Sequence, residues 1–80
     1  MKFDTFTYKD YDSLIGKTVL CRLYNSIDGQ YLGDFFVAVI LHKEDIPDTL
    51  IGVIRDFTVR RTDNKILTIW MNEIRGILQE

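Results

Sequence analysis

The segment KTVLCRLYNSIDGQYLGDFFVAVILHKE, residues 17–44, decides the fold class of this chain. Its first part, residues 17–24, is rich in residues that favour β-structure, and its side chains alternate between two faces of a strand. Val19, Cys21 and Leu23 share one of these faces, whereas the other contains Arg22 and Tyr24. The pair Asp28-Gly29 tolerates the positive φ angles of a tight connection. The pattern therefore predicts a strand followed by a hairpin turn.

The strand after this turn is long and apolar on both faces. It spans residues 31–44, and its middle, FFVAVIL at 35–41, contains no polar side chain. Gly33 near its start predicts a bulge or bend at which a small sheet curves. Apolar residues on both faces are typical of a strongly bent strand or of one covered by a helix. We expect the pairing to end at Pro47, because proline lacks the N–H that a strand ladder uses.

The rest of the chain predicts short elements around this hairpin. They are a short helix at Lys9 to Ile15 capped by Asp10 or Asp12, strands at residues 50–59 and 66–71, a one-turn 3₁₀ element and a last strand through Ile77 and Leu78. This order is typical of a mainly β domain, a small five-stranded bent antiparallel sheet or barrel of SH3-like or Sm-like type with a short amino-terminal helix. The alternative is an α+β domain with a helix at residues 45–55 or 70–78, because residues 66–78 also fit a helical period.

The composition indicates one small globular domain over residues 1–80. It has 10 Lys+Arg against 12 Asp+Glu and 46% hydrophobic residues, and it shows no repeat or linker. The longest apolar run has seven residues, whereas a membrane-spanning helix needs roughly 20. The amino terminus has no apolar segment of the kind found in secretion signals. We therefore expect a cytoplasmic protein without a membrane partner.

The residues that carry catalysis or bind metals are few. The single cysteine and single histidine exclude an intramolecular disulfide and a zinc site built from Cys and His. We expect Cys21 in the core, because free cysteines are usually buried, and His42 in solvent beside charged neighbours. No phosphate-binding glycine motif or calcium loop is present. The sequence predicts no enzymatic activity and no cofactor.

A cluster of cations offers one candidate site. A hairpin centred on Asp63 is expected to bring four side chains near one tip, where they would contact phosphates. They are Arg55, Arg60, Arg61 and Lys65. Because Phe35 and Phe36 point to opposite faces of one strand, we expect at least one of them in the core. Four aromatic residues, these two included, form a candidate stacking surface for bases. They are Tyr24, Tyr31, Phe35 and Phe36. This alternative function is a nucleic-acid-binding Sm-like barrel.

The long apolar strand favours a different function. A small domain without a disulfide or metal is stabilised when another chain covers such a strand, by pairing at a sheet edge or by contact with an apolar face. Phe35 and Phe36 are the candidate contact residues. The alternative is that the segment FDTFTY at residues 3–8 and the predicted helix cover this face within one chain. The main hypothesis is a non-enzymatic interaction or regulatory module that binds another protein or a second copy of itself, as a homodimer.

Three short segments resemble a known family. They are YKDYDSL at residues 8–14, the Asp28-Gly29 turn, and IWMNEIRGI at residues 69–77. Their layout resembles Sm-like barrels, and in particular the Rof-type inhibitors of the transcription terminator Rho. The resemblance covers about the first thirty and the last fifteen residues and does not anticipate the FFVAVIL or RRTDNK segments. It implies an acidic amino-terminal helix before a five-stranded barrel, and action by contact with Rho, with Asp10, Asp12 and Asp28 as the acidic contacts.

Overall fold

The computed structural model describes residues 2–5, 13–50 and 52–79, and this part of the chain is mainly β. Six strands form one antiparallel sheet in the order β1-β6-β2-β3-β4-β5. They are β1 Lys2–Thr5, β2 Thr18–Asn25, β3 Gln30–Asp48, β4 Gly52–Arg61, β5 Ile66–Trp70 and β6 Ile74–Gln79, with a 3₁₀ helix at Met71–Glu73 before β6. These ranges contain no α-helix, so the α+β alternative is wrong. The predicted 3₁₀ element and the last strand are confirmed.

Strand β3 organises the sheet. Its 19 residues pair with β2 in the first half and with β4 in the second. A straight strand of this length would span about 60 Å at roughly 3.3 Å per residue, whereas the longest dimension of the molecule is 38 Å. The strand is therefore strongly bent, which is one of the two alternatives that its apolar residues on both faces allow. Gly33 has a φ of 70°, and the β2–β3 register shifts beside it, which confirms the predicted bulge.

The core lies on one face of this bent sheet. Five strands and the turn before β2 contribute its nine buried hydrophobic residues, which are Leu14, Val19, Cys21, Ala38, Ile40, Phe57, Val59, Ile69 and Ile74. The turn is held against β3 by two backbone hydrogen bonds, from the Gly16 N–H to the Ile40 carbonyl at 2.7 Å and from the Ile40 N–H to the Lys17 carbonyl at 3.0 Å. This contact places Leu14 over the core.

The structure has six strands where the sequence predicts five. The additional strand, β1, pairs with β6 in the register Lys2 with Gln79 through Thr5 with Gly76. Strands β1 and β5 are the two ends of the strand order and do not pair with each other. Within the described residues the sheet is therefore open, and it does not form the closed barrel that the sequence also allowed.

Two further expectations differ from the structure. Strand pairing does not end at Pro47, which lies opposite Val53 in the β3–β4 ladder. Among the described strands, this part of β3 pairs with β4 alone, and proline is tolerated in such edge positions. The predicted helix at Lys9 to Ile15 falls mostly on residues 6–12, outside the described residues; its described end forms a turn closed by a hydrogen bond from the Lys17 N–H to the Leu14 carbonyl.

Candidate binding surface

The β2–β3 hairpin presents two different faces. Leu23 lies opposite Leu32, and the next pair is Tyr24 opposite Tyr31. Because successive residues of a strand point to opposite faces, the leucine pair and the tyrosine pair lie on opposite sides of the hairpin. We call Leu23 and Leu32 the leucine face. On the side of the tyrosines, arginine side chains lie over the Tyr31 ring.

The leucine face is exposed. Leu23 and Leu32 keep 40% and 49% of their surface accessible, and Ile27 in the connecting turn keeps 95%. The turn itself is well ordered by side-chain oxygens, since Asn25 Oδ1 accepts from the Ile27 N–H at 2.9 Å and Asp28 Oδ1 accepts from the Gln30 N–H at 3.2 Å. A defined hairpin end therefore holds three large apolar side chains in solvent.

On the other side, aromatic rings and guanidinium groups pack against one another. The Arg75 guanidinium carbon lies 4.9 Å from the Tyr31 ring centroid, and that of Arg22 lies 5.6 Å from the same centroid. Arg22 also lies 5.1 Å from the Phe35 ring centroid. The two tyrosine rings pack at 5.0 Å with an interplanar angle of 59°. We call Arg22, Tyr24, Tyr31, Phe35 and Arg75 the tyrosine–arginine cluster.

The β3 bulge builds part of this cluster. Gly33, with its positive φ, turns the backbone so that its carbonyl accepts a hydrogen bond from Arg22 Nε at 2.9 Å. This bond fixes the Arg22 side chain beside the Phe35 ring. A residue with a Cβ at position 33 would be strained at this φ, so the cluster depends on glycine there.

A cleft of about 450 Å³ opens beside the cluster. Its walls come from β1, the β2–β3 hairpin and the 3₁₀ helix with the start of β6, and they include Thr5, Tyr24, Tyr31, Met71, Asn72 and Arg75. The cleft wall is supported from behind by Glu73, which is 7% exposed and accepts a hydrogen bond from the Tyr24 N–H at 2.9 Å. Trp70 packs on the Tyr24 ring at 6.1 Å. The site is thus held by groups from distant parts of the sequence.

The two phenylalanines expected to contact a partner have different environments. Phe35 is 51% exposed and belongs to the tyrosine–arginine cluster. Phe36 lies opposite Cys21 and packs against the core, with the Arg61 guanidinium carbon 5.1 Å from its ring centroid. Phe35 is therefore available at the surface, whereas Phe36 has a structural role. The prediction that at least one of them belongs to the core is confirmed.

The acidic residues expected to contact a partner lie in two places. Asp28 is exposed in the hairpin turn, where it orders the backbone. Asp10 and Asp12 lie outside the described residues. The structure therefore places one of the three, beside the exposed leucine face.

The predicted cation cluster is divided. Arg55 lies opposite Asp45 in the β3–β4 ladder, and its Nε is 3.7 Å from Asp45 Oδ1. Six residues of one strand, about 20 Å, separate it from Arg61, whose Nη2 is 3.5 Å from Asp63 Oδ2. The β4–β5 turn brings together the other three cations, Arg60, Arg61 and Lys65. The expected group of four does not meet at one tip.

The two residues considered for catalysis, Cys21 and His42, have different environments. Cys21 is fully buried, and burial, with a further contribution from the Glu73 carboxylate, raises the pKa of its thiol to about 12. The thiol therefore stays protonated at neutral pH and is shielded from reagents. His42 is exposed on β3. Among the described residues no group of three or more His, Cys, Asp and Glu side chains is placed to hold a metal ion, and no helix has the length and apolar character to cross a membrane.

Sequence reasoning pointed to part of this site. The sequence indicates the aromatic residues but not Arg22, whose role depends on the bulge, nor Arg75, which lies over the Tyr31 ring. The alternation of the hairpin was a usable signal, since it puts Arg22 and Tyr24 on one face of β2. Comparisons of the chain with protein-family models, with curated proteins and with solved structures find no match. The site is therefore interpreted from its own geometry.

Proposed function

We propose that this chain is a non-enzymatic cytoplasmic interaction module, and that it binds a second copy of itself through the leucine face. The observation that supports the proposal is the exposure of Leu23 and Leu32 as a directly opposed pair on an ordered hairpin, with Ile27 at its end. A patch of this kind is self-complementary about a twofold axis, which is the usual symmetry of small homodimers.

The size of the domain supports self-association. An 80-residue chain with one cysteine has no intramolecular disulfide, and a domain of this size buries only about 60 to 65% of the surface of its unfolded chain. Such small domains gain stability from a bound metal or from association. Covering the exposed leucines with those of a second copy removes apolar surface from water, at about 25 cal/mol for each Å².

We also propose that the open sheet has the SH3-like or Sm-like arrangement of strands that the resemblance implies. The strand order β6-β2-β3-β4-β5 and the 3₁₀ helix before the last strand support an SH3-like or Sm-like arrangement of the bent sheet. A Rof-type contact with Rho would use acidic residues, and Asp28 is exposed for that purpose beside the leucine face. Such a contact would be made with a different protein and is separate from the binding of a second copy.

Light scattering during size-exclusion chromatography, over a dilution series, tests the self-association. We expect the mass of a dimer, 18.8 kDa for two chains of 9.4 kDa, and a monomer for the double variant Leu23→Ser with Leu32→Ser. The matched control is Leu50→Ser, which changes a leucine that is 92% exposed in the β3–β4 loop. A wild-type monomer at every concentration would overturn the proposal, and so would loss of the dimer in the control alone.

Nucleic-acid binding through the predicted cation cluster is the second candidate. Arg60 and Lys65 are exposed near one turn, which favours it, whereas Arg55 and Arg61 lie beside Asp45 and Asp63. The test is the double variant Arg60→Glu with Arg61→Glu, which should abolish the binding of an oligonucleotide if these residues contact its phosphates.

A further inference from the structure

The tyrosine–arginine cluster and its cleft have a chemistry that the proposed self-association does not use. The leucine face and the tyrosines lie on opposite sides of the hairpin, so a second copy bound to the leucines leaves the cleft accessible. The cleft combines two aromatic rings, the Arg75 guanidinium and neutral polar side chains, and Arg22 lies beside it over the Tyr31 ring. Each of these three features limits the kind of ligand that fits.

The first feature is the stack of planar groups. Tyr31 has a guanidinium carbon at 4.9 Å and another at 5.6 Å from its ring centroid, from Arg75 and Arg22. A guanidinium held over a ring in this way presents its other face to a further planar group. Since Arg75 is exposed and lines the cleft, a ligand with an aromatic ring can extend the stack there.

The second feature is the charge of the two arginines. In the ranges 2–5, 13–50 and 52–79, the ion pairs involve Lys43, Arg55 and Arg61, and neither Arg22 nor Arg75 has a carboxylate within 4.0 Å. Their charge is therefore available to an anion. Phosphate groups, like carboxylates, suit the geometry of a guanidinium, because they accept two parallel hydrogen bonds from it.

The third feature is the rigidity and size of the cleft. Tyr24 is fixed by its N–H bond to Glu73 at 2.9 Å and by ring contacts with Tyr31 and Trp70. A preformed site loses less entropy when a ligand binds. The volume of about 450 Å³ lies within the range of sites for small molecules, about 300 to 1,000 Å³. Asn72 and Thr5 on its walls offer donors and acceptors for the edge of a base.

We propose that this cleft binds single-stranded nucleic acid, with a base stacked beside Arg75 and Tyr24 and with Arg22 and Arg75 contacting the adjacent phosphates. Bases of single strands are free to stack on aromatic and arginine side chains, whereas those of a duplex are not. The net charge of −2 means that binding relies on this local site. Two phosphate contacts predict a slope of about −1.4 for the logarithm of the binding constant against the logarithm of the salt concentration.

Fluorescence anisotropy of labelled oligo-dT and oligo-U strands of about ten nucleotides tests the proposal with the full chain. We expect saturable binding at low salt, at least about tenfold weaker binding for Tyr31→Ala and Arg75→Ala, and no binding of a duplex of the same length. Arg75→Lys separates the two contributions of the arginine, because it keeps the charge but removes the flat group. We expect it to bind less tightly than wild type and more tightly than Arg75→Ala.

Lys17→Ala is the control, since it removes an exposed cation in the turn before β2, outside both the cleft and the predicted cation cluster. It should leave the affinity within about twofold. No binding of either strand at low salt would overturn the proposal, as would equal binding by wild type and a correctly folded Arg75→Ala. Binding of an acidic tyrosine-containing peptide in place of the oligonucleotides would assign the cleft to a protein ligand and overturn it too. We expect Arg75→Ala to have the same oligomer mass as wild type. This measurement distinguishes a failure of the cleft proposal from a failure of the proposed self-association through the leucine face.

Discussion

Glu73 and Tyr24 are separated by 49 residues in the sequence and are joined by a hydrogen bond of 2.9 Å from the Tyr24 N–H to Glu73 Oε2. The other carboxylate oxygen, Oε1, accepts from the Trp70 N–H at 3.0 Å. One buried side chain thus connects the end of β5, the 3₁₀ helix and β2. Since Tyr24 forms a wall of the cleft, the same side chain supports the fold and the candidate site.

Replacing this carboxylate should destabilise the domain. Glu73→Gln keeps the size of the side chain but supplies one carbonyl oxygen in place of two acceptors, so one of the two backbone N–H groups faces an amide donor. An unsatisfied and partly buried N–H costs about 1 to 3 kcal/mol. For a domain of this size we expect a fall in Tm of roughly 4 to 8 °C for each kcal/mol, measured by thermal and urea unfolding.

Glu44→Gln is the control for this change, because Glu44 is exposed on β3. The same chemical substitution there should alter the free energy of unfolding by no more than about 0.5 kcal/mol. If both variants unfold at the temperature of the wild-type protein, the link between Glu73 and β2 does not contribute to stability.

The features that could be predicted are those with local signals. The turn at Asp28-Gly29 and the bulge at Gly33 depend on the φ angles of single residues, and both follow from the residue type. The pairing of β1 with β6 depends on residues at opposite ends of the chain and has no local signal. The same holds for Glu73, whose role as an acceptor for Tyr24 is visible only when the strands are placed side by side.

The parts of the candidate site that have local sequence signals could also be predicted. Alternation puts Arg22 and Tyr24 on one face of β2, and the turn sets Tyr31 opposite Tyr24. Arg75 reaches Tyr31 only because β6 pairs with β2. Phe35 and Phe36 show why the site could be predicted only in part. They are adjacent residues of the same type, and the bulge and the strand register decide which of them is exposed.

Gly76→Ala should detach β1 from the sheet. A Cβ at this position would lie 2.9 Å from the Asp4 carbonyl oxygen and 3.1 Å from the Phe3 Cβ, so the backbone of β1 must move. We expect loss of amide protection at Lys2–Thr5 in hydrogen exchange and a decrease of about 1 to 3 kcal/mol in the free energy of unfolding. Thr62→Ala, in the exposed β4–β5 turn, should leave this protection unchanged. Retained protection in Gly76→Ala would contradict the close contact between β1 and β6.

Removal of the same atoms from a buried and from an exposed isoleucine should have different effects on the free energy of unfolding. Ile40 is fully buried, whereas Ile27 is 95% exposed. Ile40→Ala should lower the free energy of unfolding by about 2 to 5 kcal/mol, because it loses buried surface and leaves a cavity. Ile27→Ala should change it by no more than about 0.5 kcal/mol. Urea unfolding at a concentration where the protein is monomeric gives both values, and similar values for the two would contradict the assigned core.

Cys21 should make the stability of the domain sensitive to alkaline pH. Burial raises the pKa of its thiol from 9.0 to about 12, so the unfolded chain loses the thiol proton at a lower pH than the folded chain. The contribution of the protonated thiol is fully present below pH 9 and is lost as pH rises from 9 to about 12, by up to about 1.4 kcal/mol for each pH unit. Cys21→Ala removes the contribution of the thiol to the pH dependence of stability. The other ionisable side chains are present in both proteins. The difference in the free energy of unfolding between wild type and variant, measured by urea unfolding, should therefore be constant at neutral pH and fall above pH 9. A difference that stays constant throughout this range would show that the thiol ionises as readily in the folded protein as in the unfolded chain.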